Sequence, residues 1–454
     1  MKSQDSRVTE VESAITGEYL RRTPHSATLY EAARKVLPGG DTRSVTYFRP
    51  YPLFIESGSG CRLRDVDGNT YLDFVNNYFS LIHGHSHPQI VEAVTRQLGR
   101  GTAYAAPIES QVLLARILCD RIPSLENVRF CNSGTEATMN AIRAAKAFTG
   151  RNKVLKMEGG YHGSHDAAEI SIVPPLELAG PDAAPEAVAE CDGLFRGVLD
   201  DIIVAPFNKI EATSRIIEQH RDDLAAVIVE PVMGVGGMLP AETDYLRFLR
   251  RATQECGALL VFDEVITFRL APGAMQEVYG IKPDLTALGK IIGGGLPVGA
   301  FGGRADVMSL FDPARKKLAH GGTFNGNALT MAAGLAAMKL FDHEGIARLN
   351  RLGDRLRQGL RKALSDCDIA SQVTGIGSLA QVHFTEHPVR THRDAARAAK
   401  EPLTGLHLAL INRGVFVAPR GQWCLSTAMS ENEVDEAIML FHDALSETDA
   451  FTCS

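Results

Sequence analysis

Two short runs constrain what this chain can fold into more than any other feature. AAVIV at 225–229 and ALLVF at 258–262 are apolar at every position, not at alternate ones. A strand with one wet face alternates; a strand covered on both faces does not. Further strand-like runs lie at Val128–Cys131, Lys153–Met157, Ile202–Ala205 and Val298–Phe301. Between several of them the apolar spacing turns helical, as in Thr135–Phe148 and Thr243–Cys256. Strand–helix–strand alternation predicts an α/β fold around a mainly parallel sheet. At 454 residues the chain is long enough for a large core and more than one domain.

Composition removes some function classes. The formal net charge is −7, and basic clusters such as Arg315-Lys316-Lys317 are short, so nucleic acid is not an expected partner. The stretch Met1–Leu20 lacks the continuous apolar segment of a secretory leader. No run approaches the length of a membrane span. The expectation is a soluble, cytoplasmic protein. The eight cysteines (Cys61, Cys119, Cys131, Cys191, Cys256, Cys367, Cys424 and Cys453) form no C-x-x-C pair and are expected to be reduced. His83, His85 and His87 alternate and would share one face of an extended segment. No carboxylate or cysteine is spaced beside them, so no metal site is expected.

The character of the chain changes along its length. Ser171–Asp200 is rich in Pro, Ala and Gly and reads as a long excursion or lid. Beyond Phe341, a charged amphipathic helix at Arg348–Ser365 is followed by a strand pair in SQVTGIGSLAQVHF, another helix, a strand around Cys424–Ala428 and a last helix from Glu431. This predicts a smaller α/β domain at 342–454, after a large domain at 79–341. Residues 1–78 form an N-terminal segment expected to pack with the small domain. Its Asp67-Gly68 reads as a hairpin turn.

Polar groups gather where the predicted strands end. ALLVF runs into Asp263 and Glu264, AAVIV into Glu230, and RFC into Asn132-Ser133-Gly134-Thr135 and a helix. Ligands of open α/β sheets collect at the carboxyl ends of strands. Small residues at a helix head expose N–H groups and hydroxyls suited to a phosphate, although an ordinary N-cap reads the same way. A carboxylate such as Asp263 can keep a ring nitrogen protonated. Lys290 lies among apolar residues in PDLTALGKIIGGGLPVGAFGG; a lysine so placed has a depressed pKa and can act as a nucleophilic amine. These parts in this order make the set for pyridoxal 5′-phosphate (PLP). A nucleotide loop fails: Ile291 follows Lys290 where Ser or Thr is needed, and no G-x-G-x-x-G opens a helix after a strand.

NSGTEA, YHG, FDEV, GKIIGGGLPVGA and GGTFNGNA together resemble class III (omega-type) PLP-dependent aminotransferases of fold type I. The resemblance implies a large domain with a mostly parallel seven-stranded sheet, a smaller α/β C-terminal domain, and a homodimer with shared active sites. It implies that Lys290 is the catalytic residue and carries PLP as a Schiff base. Asp263 would bind the pyridinium nitrogen, with Glu230 beside it. Ser133, Gly134 and Thr135 would hold the phosphate. Tyr161 and Val265 would cover the two ring faces. Asn208 of APFNK would sit near the ring hydroxyl, although the family more often has Tyr-Asn-Asp there. Thr323 would reach the phosphate in the neighbouring subunit. The glycines after Lys290 would let the backbone pass close to the cofactor and turn.

Within that family the motifs resemble glutamate-1-semialdehyde aminomutases and β-phenylalanine aminotransferases. Arg43 in DTRSVTYF and Arg420 in VAPRGQW match the carboxylate-binding arginines of the second group. The aminomutases commonly carry Ser-Trp-Gly-Pro before their GHxHP segment. Here that stretch is NNYFSLIHGHSHP, without tryptophan or proline. A pocket lined by Tyr47, Phe48, Asn77 and Phe79 is expected, and with it a transaminase passing the amino group of a β-amino acid to 2-oxoglutarate or pyruvate. The aminomutase, an amino-acid racemase and a PLP-binding regulatory protein are the alternatives.

Overall fold

A computed structural model describes residues 14–447. Most of the N-terminal stretch read for a leader, the start of the expected N-terminal segment, and Cys453 lie outside the described residues. The fold is α/β, centred on a seven-stranded sheet. Its strands in chain order are β1 (Asn127–Cys131), β2 (Lys153–Met157), β3 (Ile202–Ala205), β4 (Leu224–Val229), β5 (Leu259–Asp263), β6 (Leu285–Gly289) and β7 (Gly299–Gly303). They lie side by side as β1-β7-β6-β5-β4-β2-β3. All neighbours run parallel except β7, which is antiparallel to both β6 and β1. The strand β6 was not among those read from the sequence. Its five residues follow Pro283-Asp284 and end in Gly289-Lys290, so no apolar run stands out.

The runs 225–229 and 258–262 are apolar throughout because every residue of β4 and β5 is buried, with helices on each side of the sheet. The helix Gly134–Thr149 covers one face through Ala137, Ala141, Ala144 and Ala145, and Thr243–Cys256 covers the other through Leu246 and Leu249.

Outside this sheet, Asp67-Gly68 does turn a hairpin, between Arg62–Asp65 and Thr70–Asp73. Thr70–Asp73 also pairs in parallel with Val415–Phe416, so one four-stranded sheet unites segments from the two ends of the chain. A three-stranded antiparallel sheet follows from Gln372–Thr374, Leu379–His383 and Gln422–Cys424. Its last strand stops at Cys424, short of the expected Ala428. The helices His343–Asp366 and Glu431–Glu447 pack together beside these strands. The excursion at 171–200 is largely irregular and is fastened, not free. Arg393 clasps Glu158 with two bonds of 2.8 and 2.9 Å and donates to the carbonyls of Ala179 and Gly180 and to Asp182. Among the described residues no helix is long and apolar enough to cross a membrane.

Two of the alternating histidines have hydrogen-bond partners in the protein, whereas His87 Nδ1 is buried without one. His83 bonds the Thr427 hydroxyl and the Ala337 carbonyl, and His85 pairs with Asp73 at 2.7 Å. Burial pushes the imidazoles of His83 and His383 down to about 4 and that of His407 to about 3. In the unfolded chain these groups take a proton near pH ~6.5. Between about pH 6.5 and 4 the unfolded state therefore binds more protons, so stability is full above that window and is lost as pH falls through it. Thermal midpoints measured from pH 7.5 downward are expected to fall from about pH 6.5. His407→Leu, which replaces a buried ring set edge-on against Phe48, is expected to flatten that slope. An unchanged slope in this variant would remove His407 from the account.

Candidate active site

The sheet order explains the site. β4, β5 and β6 are adjacent and parallel, so Glu230, Asp263 and Lys290, which end or follow them, meet at one rim. Phe262 is level with Val229, which sets Asp263 beside Glu230. Asp263 is level with Ala287, three residues before Lys290. Successive strand residues face opposite ways, and this divides the FDEV pair. Asp263 faces the cavity, whereas Glu264 turns inward to accept bonds from the backbone N–H groups of Met275 and Gln276.

These groups border a cavity of about 310 Å³ whose wall includes Asn77, Thr135, Tyr161, His162, Val265 and Lys290. Lys290 adopts a left-handed backbone (φ +49°), a strained conformation for a side chain of this size. Burial lowers its ammonium pKa, against the opposing pull of Asp263 and Glu230. Glu230 is pushed up to about 8, first by burial and then by the charge of Asp263 beside it. Its two oxygens accept the N–H groups of Tyr161 and Gly234.

Asp263 is held by two donors. Its Oδ1 accepts the Val265 N–H at 3.1 Å, and its Oδ2 lies 2.8 Å from His162 Nδ1. Burial drives the imidazole pKa down, so His162 is neutral and gives its Nδ1–H to the carboxylate. The far nitrogen, Nε2, is buried without a partner. A carboxylate offers roughly four acceptor positions, so Asp263 retains capacity toward the cavity. Within YHG, His162 carries no task that the sequence reveals. No local signal points from it to an aspartate 101 positions away; only the strand order does.

The helix Gly134–Thr149 begins at the cavity. Gly134 and Thr135 are in its first turn, where N–H groups have no intrahelical acceptor. Gly163 (φ +98°) must lack a side chain, since a Cβ there would come within 2.6 Å of Thr135. In the glycine run after Lys290, Gly294 (φ +60°) lets the chain pack on the Ala333 carbonyl, and Gly295 borders the cavity.

Other expected residues fall elsewhere. Ser133 is the N-cap: its Oγ accepts the Glu136 N–H, and it does not border the cavity. Asn208 follows β3, the edge strand, three places from β5 or roughly 14 Å at ordinary strand spacing. Its amide is spent on the Pro240 carbonyl and the Glu242 N–H. Phe79 is 6% exposed and packs with Val232, Ile266 and Leu379 in the core, not in the pocket. Phe48 is likewise buried, against Tyr19 and His407. Tyr47 and Thr323 are exposed, outside the cavity wall. Arg43 is also exposed and outside the cavity wall, but its Nη1 donates at 2.8 Å to Oδ1 of Asn77, which is part of that wall. Arg420 is exposed, and its charge and that of Arg43 both act on the Tyr78 hydroxyl.

Fold and cavity together define an α/β protein in which one buried lysine, carboxylates and a helix head line a single space. A model of the class-III aminotransferases matches residues 45–445, and the chain belongs to that family. It is 43% identical to a glutamate-1-semialdehyde 2,1-aminomutase of Methanothermobacter thermautotrophicus over 91% of this chain and 97% of that one. It is 40% identical to a β-phenylalanine transaminase of Variovorax paradoxus over 94% and 95% of the two chains. The solved structure of a transaminase with PLP bound superimposes with a TM-score of 0.88 at 37% identity, covering 95% of this chain and 99% of that one.

Proposed function

We propose that this enzyme takes an amino group from a carboxylated amine, with a β-amino acid such as β-phenylalanine favoured, and passes it to an α-keto acid such as 2-oxoglutarate or pyruvate. PLP is its cofactor. The cavity suits that group: one amine, one carboxylate with spare acceptor capacity, and unspent N–H donors at a helix head lie around a single space. When bound, PLP supplies an aldehyde and an electron-withdrawing ring. The chain supplies the rest. The Lys290 Nζ, its pKa lowered by burial, is the amine that holds the cofactor and afterwards carries a proton to and from the substrate carbon. Asp263, oriented by His162, holds a positive charge on the ring nitrogen. The N–H groups of Gly134 and Thr135 take the phosphate. Tyr161 and Val265 flank the ring. Thr323, exposed here, is assigned to the cofactor of a second subunit.

The observation that carries the substrate class is Arg43, an exposed cation bonded to the neutral Asn77 of the cavity wall. Arg43→Ala is expected to raise KM for β-phenylalanine roughly 10- to 100-fold, and to change KM for an arylalkylamine without a carboxylate by no more than about twofold. Equal losses on both amines would remove its role.

A second reading has a specific support, the aminomutase that is 43% identical over nearly the whole chain. One experiment separates them. The enzyme is given β-phenylalanine with 2-oxoglutarate, and separately glutamate-1-semialdehyde with no acceptor. Glutamate formed in the first reaction alone supports the transaminase. Isomerisation in the second alone makes this chain an aminomutase.

A further inference from the structure

The chain between Asp73 and the GHSHP segment contains four consecutive residues in the left-handed region: Asn76 (φ +47°), Asn77 (φ +48°), Tyr78 (φ +52°) and Phe79 (φ +75°). L-residues avoid this conformation, and a run without glycine persists only where its surroundings over-determine it. They do so here. The Asp73 carboxylate accepts the N–H groups of Val75 and Asn76, and the Asn76 amide donates to the Cys424 carbonyl at 2.8 Å. At the far end, the fully buried Arg269 donates to the Phe79 carbonyl at 3.1 Å. With its ends fixed in the core, the turn presents its two middle residues outward.

Both grip the loop that carries Arg43. The Tyr78 hydroxyl donates to the Val45 carbonyl. Asn77 Oδ1 accepts from Arg43 Nη1, and its Nδ2–H donates to Ser80 Oγ at 3.0 Å. The amide's orientation is fixed by chemistry, since a guanidinium has donors only and must face the oxygen. One N–H of Arg43 is thus committed to a neutral acceptor; the Asp41 carboxylate two residues away feels its charge, but among the described residues the guanidinium forms no ion pair.

From this geometry we infer that Asn77 is a positioning and specificity-determining residue: it aims Arg43 across the cavity mouth while leaving its positive charge for a substrate carboxylate. The inference rests on the reading of Arg43 given above. It further states that position 77 must carry an uncharged acceptor. A carboxylate there would form an internal ion pair and take the place of the substrate's own.

Asn, Asp and Gly are the residues that tolerate this backbone, so Asn77→Asp and Asn77→Gly test charge and aim without refolding the turn. The probe is 3-phenylpropanoate, which has the carboxylate but no amine to react, titrated calorimetrically into the PLP-loaded enzyme. Asn77→Asp is expected to weaken its binding roughly 10- to 100-fold and Asn77→Gly only several-fold. In turnover, the ratio of KM for β-phenylalanine to KM for an arylalkylamine is expected to rise in the same order. Unchanged 3-phenylpropanoate binding in Asn77→Asp, or an unchanged KM ratio, overturns the inference. If Arg43→Ala is selective for carboxylated amines while Asn77→Asp is not, this inference alone falls. If Arg43→Ala is itself unselective, both fall.

Discussion

Lys290→Ala is expected to lose turnover by ~10⁴-fold or more. In the proposed mechanism the same amine performs two tasks, covalent attachment and proton transfer, and the second alone is worth ~10²–10⁴-fold. Lys290→Arg should lose as much. A guanidinium keeps the positive charge beside Asp263 and Glu230 but is no nucleophile at neutral pH. The pair of variants therefore separates the amine's chemistry from its charge. The direct reading is covalent. Borohydride treatment of the PLP-loaded enzyme should add the cofactor's mass to the peptide containing Lys290 and to no other peptide, and neither variant should be labelled. Labelling of the Ala variant, or surviving turnover in either, would place the reactive amine elsewhere.

Asp263→Asn is expected to lower kcat by ~10²–10³-fold while the cofactor stays attached to Lys290. The side chains are nearly isosteric, so the His162 and Val265 contacts have the same reach. What disappears is the negative charge that holds a proton on the ring nitrogen. A second consequence concerns the neighbour. Glu230 is held up to about 8 by burial and then by Asp263. Removing the second cause should bring its titration down toward the ordinary carboxylate range, and any limb of the pH–rate profile that reports Glu230 should move to lower pH with it. Full activity in Asp263→Asn would exclude this carboxylate as the ring's partner.

Sequence and structure agree best where burial alone decides. Ile202–Ala205 was read to the residue because an apolar, β-branched run has one stable placement in such a fold, and Lys153–Met157 matches as well although two of its five residues are lysines. Asp263 and Glu230 were legible as strand-end groups, since each follows an apolar run, and Lys290 as a lone cation among apolar residues, although the strand before it was not. What the sequence did not carry was the order of strands. Asn208 and Glu230 both follow apolar runs, and nothing local says that one run is a sheet edge and the other is central. The His162–Asp263 pair was hidden for the same reason. Phe79 was misplaced by a different cause. Its neighbours are polar and flank a cavity, but a left-handed turn rotates the fourth side chain back into the core, and no propensity announces a left-handed turn built without glycine.

The sheet that unites Thr70–Asp73 with Val415–Phe416 has a consequence for biosynthesis. The strained turn begins directly after Asp73, and its far clamps are Cys424, by way of Asn76, and Leu425, which shares Arg269 with the Phe79 carbonyl. On the ribosome, the central sheet has its last strand once Gly303 has emerged. The turn that holds Asn77 beside Arg43 lacks its partners until Cys424 and Leu425 have followed. Such long-range closure is slow, and until it happens apolar surface remains open. A nascent chain stalled between these two points would thus hold the reactive lysine in a formed sheet beneath an unbuilt doorway.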